Sequence, residues 1–258
     1  VMVGAHVQIN VLMTQEESPF RDRGPVSNEM ALDALLHGDI DVVGRMPWSS
    51  NATFLVDISH EHLALQGIYK PARGERPLWD FPDRLFLREV AAFELSDCLG
   101  WDIVPPTVSR DGPLGDGSIQ LFIPCDLSIN YFDILKEEAN HETLRKICAF
   151  DFVANSTDRK GGHCLLDAQD KVWAIDNGLT FHSEFKLRTV IWDWAGEPIP
   201  QSILDDLQIF VSSSQEQPFT ECLDEVEREA TFQRARALIE NGMFPVDPTG
   251  RRYPWPVI

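Results

Sequence analysis

From Ser27 onward the chain alternates short apolar runs with polar breaks, and the spacing of those runs changes along its length. SNEMALDALLHG predicts a short helix, with Ser27 or Asn28 placed to cap it and Gly38 to end it. Three strand-like runs follow, DIDVVGRM, ATFLVDIS and HLALQGIYK, the first two separated by the small polar turn PWSSNA. The loop PARGERPLWDFP then leads into DRLFLREVAAFELSDCLGW. Apolar residues at Leu85, Phe86, Val90, Phe93 and Leu95 predict a helix there, with Asp83 as its cap and Gly100 as its end. VPPTVSR and SIQLFIP predict two more strands around the turn DGPLGDG. Two helices are expected near 130–136 and 139–154, then a hairpin of CLLD and VWAI around AQDK. SILDDLQIFVSS predicts a helix, and a longer one is expected from about Phe219 to Asn241 with Gly242 after it. Prolines make the tail PTGRRYPWPVI irregular.

Strands therefore dominate up to about Pro124 and helices dominate afterwards, apart from one hairpin. This pattern predicts an α+β chain in two unequal lobes, with the boundary near Ile123–Asp126. The expected organisation is a flexible N-terminal arm over 1–26, a β-rich lobe over 27–124 and a mostly helical lobe over 125–258. No internal repeat or low-complexity tract interrupts it.

Charge narrows the function classes. The 258 residues carry 22 Lys+Arg against 41 Asp+Glu, a formal net charge of −19. Such a field repels phosphate backbones and anionic bilayers, which argues against a general nucleic-acid binder. It attracts divalent cations, and a locally basic pocket remains compatible with a nucleotide. The five cysteines (Cys98, Cys125, Cys148, Cys164, Cys222) are odd in number and form no C-x-x-C pair, so free thiols in a reducing cytosol are expected. No stretch approaches the roughly 18 apolar residues of a membrane span, and no signal peptide is visible. The expectation is a cytoplasmic protein without integral membrane association.

The candidate chemistry lies around the predicted hairpin. NSTDRKGGHCLL, from Asn155 to Leu166, carries Asp158, Arg159, Lys160 and His163, and VWAIDNG ends in Asp176. A loop of two or four residues pairs Asp167 with Val172, Cys164 with Ile175 and His163 with Asp176. Asp158 precedes His163 by five residues, and Gly161 and Gly162 allow a sharp turn between them. Two carboxylates and an imidazole thus converge on one small volume. That set suits a divalent cation, leaves Asp158 available as a base, and lets Lys160 meet an anionic group.

The order of these motifs resembles that of protein-kinase-like enzymes. In those enzymes a catalytic Asp is followed two residues later by Lys and five residues later by a metal-binding Asn, and a strand pair leads to a metal-binding Asp before Gly. The Asp-Arg opening and IDNG resemble more narrowly the phosphatidylinositol 3- and 4-kinases, and an actinobacterial branch related to them. GIYKP, REVAAFEL, ANSTDRKGGH and AIDNGLTFH carry the resemblance, over about residues 38–200. It implies a two-lobed protein-kinase-like fold and an ATP-dependent phosphotransferase acting on a hydroxyl of a protein or small molecule. Lys70 would grip the α- and β-phosphates of ATP and Glu89 would hold Lys70, with Glu94 as the rival for that role. Asp158 would orient and deprotonate the acceptor, Lys160 would stabilise the transferring phosphoryl, and His163 with Asp176 would hold Mg²⁺ or Mn²⁺. Ser49, Ser50 and Asn51 would stand at the phosphate-covering turn, and Gln120, Phe122 and Ile123 at the adenine-binding hinge.

The chain departs from the pattern in three places. No G-x-G-x-x-G is present, no A-P-E-like signature follows IDNG, and His163 replaces the family's Asn. An imidazole is a softer ligand that binds only when neutral, which shifts the expected preference toward Mn²⁺. Two other functions remain open on the same fold: a nucleotide-binding pseudokinase, or an adenylyltransferase. Of the remaining features, His182 reads as a loop histidine, Trp79 and Asp80 as residues that reach or seal the cleft, Trp192 and Trp194 as core, and ECLDEVEREA as a solvated helix face.

Overall fold

The computed structural model describes residues 24–47, 51–213 and 217–258. Most of the expected N-terminal arm, and both Ser49 and Ser50, lie outside the described residues. The first helix, α1 (Asn28–His37), starts where Ser27 accepts the Met30 N–H on its side chain and stops at Gly38. It buries Ala31, Ala34 and Leu35 against a five-stranded antiparallel sheet.

That sheet contains β1 (Asp39–Arg45), β2 (Phe54–His60), β3 (Leu63–Pro71), β4 (Thr107–Gly112) and β5 (Gly115–Leu121), in the order β1-β2-β3-β5-β4. β3 is central, with Tyr69 opposite Phe54 on one side and Lys70 opposite Ser118 on the other. Gly67 leaves no room for a side chain, because a Cβ there would come within 2.9 Å of both Ile119 and Ile58 side chains. β4 and β5 run through most of the expected DGPLGDG turn. They pair as far as Gly112 with Gly115, and the φ of +97° at Gly115 permits the short connection.

Helix α2 (Phe86–Cys98) forms as expected, but Asp83 does not cap it. The Glu75 carboxylate reaches across the loop and accepts the N–H groups of Leu85 (2.9 Å) and Phe86 (2.8 Å). One side chain thus satisfies two of the orphan donors at the helix start. Glu75→Ala is expected to cost about 1–2 kcal/mol, which for a chain of this size lowers the melting temperature by about 2–8 °C in a thermal unfolding scan.

The C-terminal part is helical. α3 (Tyr131–Ile134) and α4 (His141–Val153) precede a hairpin of β6 (Cys164–Leu166) and β7 (Val172–Ala174), and α5 (Gln201–Ser212) and α6 (Glu225–Asn241) follow. The last helix is shorter than expected. A 3₁₀ turn occupies Pro218–Cys222, and Asp224 with Glu227 forms a capping box that starts α6 afresh. Gly242 ends it in the left-handed conformation. Among the described residues no helix is long and apolar enough to cross a membrane. All five cysteines are free, and burial pushes the Cys164 thiol up to about 12.

Two apolar clusters hold these layers together, and each borrows from the other part of the chain. The inner face of α2, with Ala91, Phe93 and Leu95, packs into the large helical cluster with Phe150 and Phe232. Leu165 and Trp173 of the hairpin pack instead into the cluster under the sheet. This exchange sets the end of β3, the middle of α2 and the mouth of the hairpin around one cleft.

Candidate active site

The hairpin register differs by one from the expected one. Cys164 faces Ala174 and Leu166 faces Val172. The Asp167 side chain accepts the N–H groups of Gln169 and Lys171, and Asp167 N bonds Lys171 O, which closes a three-residue loop with Asp170 at φ +59°. His163 therefore pairs through its carbonyl with Ile175 rather than with Asp176. A one-residue slip turns a regular strand over, but Asp176 has left the extended region, at φ +58°. Its carboxylate turns back, and His163 Nε2 lies 3.3 Å from Asp176 Oδ2.

Lys70, at the end of β3, donates to Glu89 Oε1 and, at 2.7 Å, to Asp176 Oδ1. Glu89 is 2% exposed, and its Oε2 accepts the Asn177 N–H at 2.9 Å. Glu94 makes no such contact; burial pushes its carboxyl up, with Asp97 and Glu221 adding to the shift. Burial pushes the Lys70 ammonium down, but the Asp176 and Glu89 carboxylates outweigh it and hold its pKa above the ordinary lysine range. Lys70 in turn holds Asp176 well below the usual carboxylate range. Charge thus joins three elements at one point.

In the loop before the hairpin Asp158 pairs with Lys160, whose Nζ is 2.8 Å from Asp158 Oδ2. Burial pushes the His163 imidazole down, and Asp176 opposes that shift. Adjacent donors around an octahedral Mg²⁺-sized ion stand ~3 Å apart, which the 3.3 Å between His163 Nε2 and Asp176 Oδ2 approaches. Among the described residues no group of three or more His, Cys, Asp or Glu gathers to hold a metal alone. Such a two-donor site fits a cation completed by phosphate oxygens and water, as Mg²⁺ usually is.

Arg159 sets the distance between the two halves of this site. It is fully buried, and its NH1 donates to Ile175 O (2.6 Å) while NH2 donates to Asn177 Oδ1 (2.6 Å). Those residues flank Asp176, and Arg159 itself follows Asp158. Asp151 compensates the guanidinium, accepting from Arg159 Nε at 3.0 Å and from Thr189 Oγ1 at 2.9 Å. Sequence reasoning missed Asp151, Asn177 and Thr189. Their signal was weak: Asp151 is a polar residue near the end of an apolar helix, Asn177 directly follows Asp176, and Thr189 lies in the loop beyond both motifs.

The remaining candidates are placed less centrally. Asn51 accepts the Arg76 N–H at 3.1 Å and so closes onto the loop after β3. The Gln120 side chain donates to Thr107 on β4 (2.9 Å), the Phe122 N–H donates to Gln66 O (2.9 Å), and Ile123 is buried under the sheet. None of these contacts reaches Lys70 or Asp176. His182 accepts the Glu184 N–H on Nδ1 and lies 3.1 Å from Lys186 Nζ, a loop role as expected. Asp80 ties its loop to Lys186 at 2.9 Å, whereas Trp79 is 95% exposed. Trp194 is buried in the helical cluster. The run ECLDEVEREA departs from a solvated face at Glu227, which is 7% exposed and accepts from Arg88.

No protein-family profile matches the sequence. Among solved structures, the fold is similar to the Golgi casein kinase with Mn/ADP bound, with a TM-score of 0.56 at 17% identity, covering 90% of this chain and 80% of that one. It is also similar to hydra Fam20 with sugar, with a TM-score of 0.55 at 12% identity, covering 83% of this chain and 88% of that one. The β-sheet N-terminal part and helical C-terminal part are thus a kinase-like α+β fold. Among curated proteins, Protein Rv2133c of Mycobacterium tuberculosis is 36% identical over 261 aligned positions, covering 86% of this chain and 93% of that protein. At that identity and coverage, the chain belongs to the family of Protein Rv2133c.

Proposed function

We propose that the protein is an ATP-dependent phosphotransferase, an atypical kinase that moves the γ-phosphoryl of ATP to a hydroxyl of a protein or small-molecule acceptor. The observation that carries this reading is Lys70, which joins Glu89 of α2 to Asp176 beyond the hairpin. Such a lysine, fixed by a helix carboxylate, is the phosphate-gripping part of a kinase site. In this reading residues 27–124 form the lobe that holds the nucleotide and 125–258 the lobe that holds the acceptor and the catalytic loop. The sequence motifs that resemble those of the phosphatidylinositol 3- and 4-kinases support the same reading. A fold neighbour crystallised with Mn/ADP supports a nucleotide with a divalent cation.

Asp158 Oδ accepts the acceptor hydroxyl proton as that oxygen bonds to the γ-phosphorus and the bridging bond to the β-phosphate breaks. ADP leaves with the electrons of that bond. Lys160, already 2.8 Å from Asp158, faces the charge on the transferring group. His163 and Asp176 would hold Mg²⁺ or Mn²⁺, which when bound neutralises charge on the phosphates. Lys70 keeps the α- and β-phosphates in register, and the Asn177 N–H keeps Glu89 aimed at Lys70. Catalysis on this scheme is positioning plus electrostatics.

The test is incubation of the purified protein with ATP and either Mg²⁺ or Mn²⁺, reading nucleotide products and intact mass, with and without candidate acceptors. ADP with a phosphorylated acceptor or protein supports the proposal. AMP or pyrophosphate with an adenylyl adduct would replace it by adenylyl transfer, and ATP-induced thermal stabilisation without turnover would replace it by a pseudokinase. A second check concerns Gly178, where a Cβ would stand 3.1 Å from Glu89 Oε1. Gly178→Ala is expected to push that carboxylate off Lys70 and raise the KM for ATP by about tenfold. An unchanged KM would count against the Lys70–Glu89 pair as the nucleotide grip.

A further inference from the structure

In kinases the helix that carries the lysine's partner glutamate is commonly the mobile part, and its position decides whether the site is assembled. Here α2 is bound at adjacent residues to two different elements. Glu89 holds Lys70 and accepts the Asn177 N–H. Its neighbour Arg88, 2% exposed, donates through Nε to Thr180 O at 3.0 Å and through NH2 to Glu227 Oε1. Thr180 Oγ1 donates to Asn177 O at 2.6 Å. Residues 88 and 89 therefore grip both ends of the turn Asn177–Thr180 and close a ring of hydrogen bonds around it.

Glu227 anchors that ring to the helical core. It is the third residue of α6, and both its oxygens are engaged: Oε2 accepts the Asp224 N–H at 3.2 Å and Oε1 takes Arg88. The positive end of the helix favours the carboxylate there. The Phe81 ring centroid lies 5.6 Å from the Arg88 guanidinium carbon. A buried guanidinium cannot lose its proton, so without Glu227 it would be an uncompensated charge in the interior. The ion pair spans 139 residues and ties α2 to α6.

We propose that Arg88 and Glu227 are positioning residues that hold α2 in the Lys70-paired position. This rests on the phosphotransferase reading for its consequence, though not for its geometry. Glu227→Gln preserves shape and removes the charge. In hydrogen–deuterium exchange on the nucleotide-free protein, it is expected to speed exchange of the α2 amides and of Asn177–Thr180 together, by at least about tenfold. Arg88→Lys, which keeps the charge and loses the Thr180 bond, falls between wild type and Glu227→Gln. Ile147→Val, a mild core loss in α4, lowers the melting temperature but leaves the exchange of α2 unchanged. With ATP, Glu227→Gln raises KM by about tenfold, whereas Ile147→Val does not. If Glu227→Gln lowers the melting temperature while α2 exchange stays at the wild-type rate, the pair is only a structural contact and the proposal is overturned. The exchange measurement decides this without nucleotide. Absence of any ATP effect on the wild type would instead remove the phosphotransferase reading.

Discussion

Asp158→Asn is expected to reduce phosphoryl transfer by about a hundredfold to ten-thousandfold, the range that a positioned general base contributes. The substitution keeps the shape of the side chain and removes its capacity to take a proton. Among the described residues the side-chain partner of Asp158 is Lys160, at 2.8 Å. Lys70, Glu89 and Asp176 are held by one another and by Asn177, without help from Asp158. ATP-induced thermal stabilisation should therefore survive in the variant while ADP formation and phosphorylated product fall. Lys70→Met should do the reverse, weakening nucleotide stabilisation at its source. A variant Asp158→Asn that turns over at the wild-type rate would exclude Asp158 as the base.

The parts of this molecule legible in its sequence are those fixed by local spacing. α1, the first three strands and α2 follow from apolar periodicity and from Ser27 and Gly38 at the helix ends. The kinase resemblance points to Lys70 at a strand end and Glu89 in mid-helix, and the two side chains meet. The meeting of His163 and Asp176 was expected from a register that proved off by one. It holds because the left-handed turn at Asp176 compensates the slip. What the sequence concealed is mostly long-range. Glu75 caps a helix ten residues away, and nothing in its loop announces it. Glu227 sits in a strongly acidic run, where helical periodicity averages one buried carboxylate into an exposed face. Burial of a charge depends on its partner, and Arg88 stands 139 residues earlier.

Asp151→Ala is expected to be the most destabilising single change near the site. Asp151 is fully buried and compensates Arg159, also buried, through Nε at 3.0 Å; it accepts Thr189 Oγ1 as well. Burial pushes the Asp151 carboxyl up, and Arg159 and Thr189 oppose that shift. Removing one partner of a buried ion pair costs about 3–5 kcal/mol, because the other charge is left without compensation. For a chain of this size the melting temperature should fall by about 6–20 °C. Arg159 would retain the Ile175 carbonyl and the Asn177 side chain, both neutral, so the loss should be less than complete unfolding. Asp151→Leu combined with Arg159→Met removes both charges and should recover part of the stability, since a buried pair often contributes little beyond an apolar substitute. It should not recover phosphoryl transfer, because no group would then fix Ile175 and Asn177 against the residue after Asp158. Recovery of both properties together would show that Arg159 only fills space. Recovery of stability alone would establish it as the strut that keeps Asp158 and Asp176 at working distance.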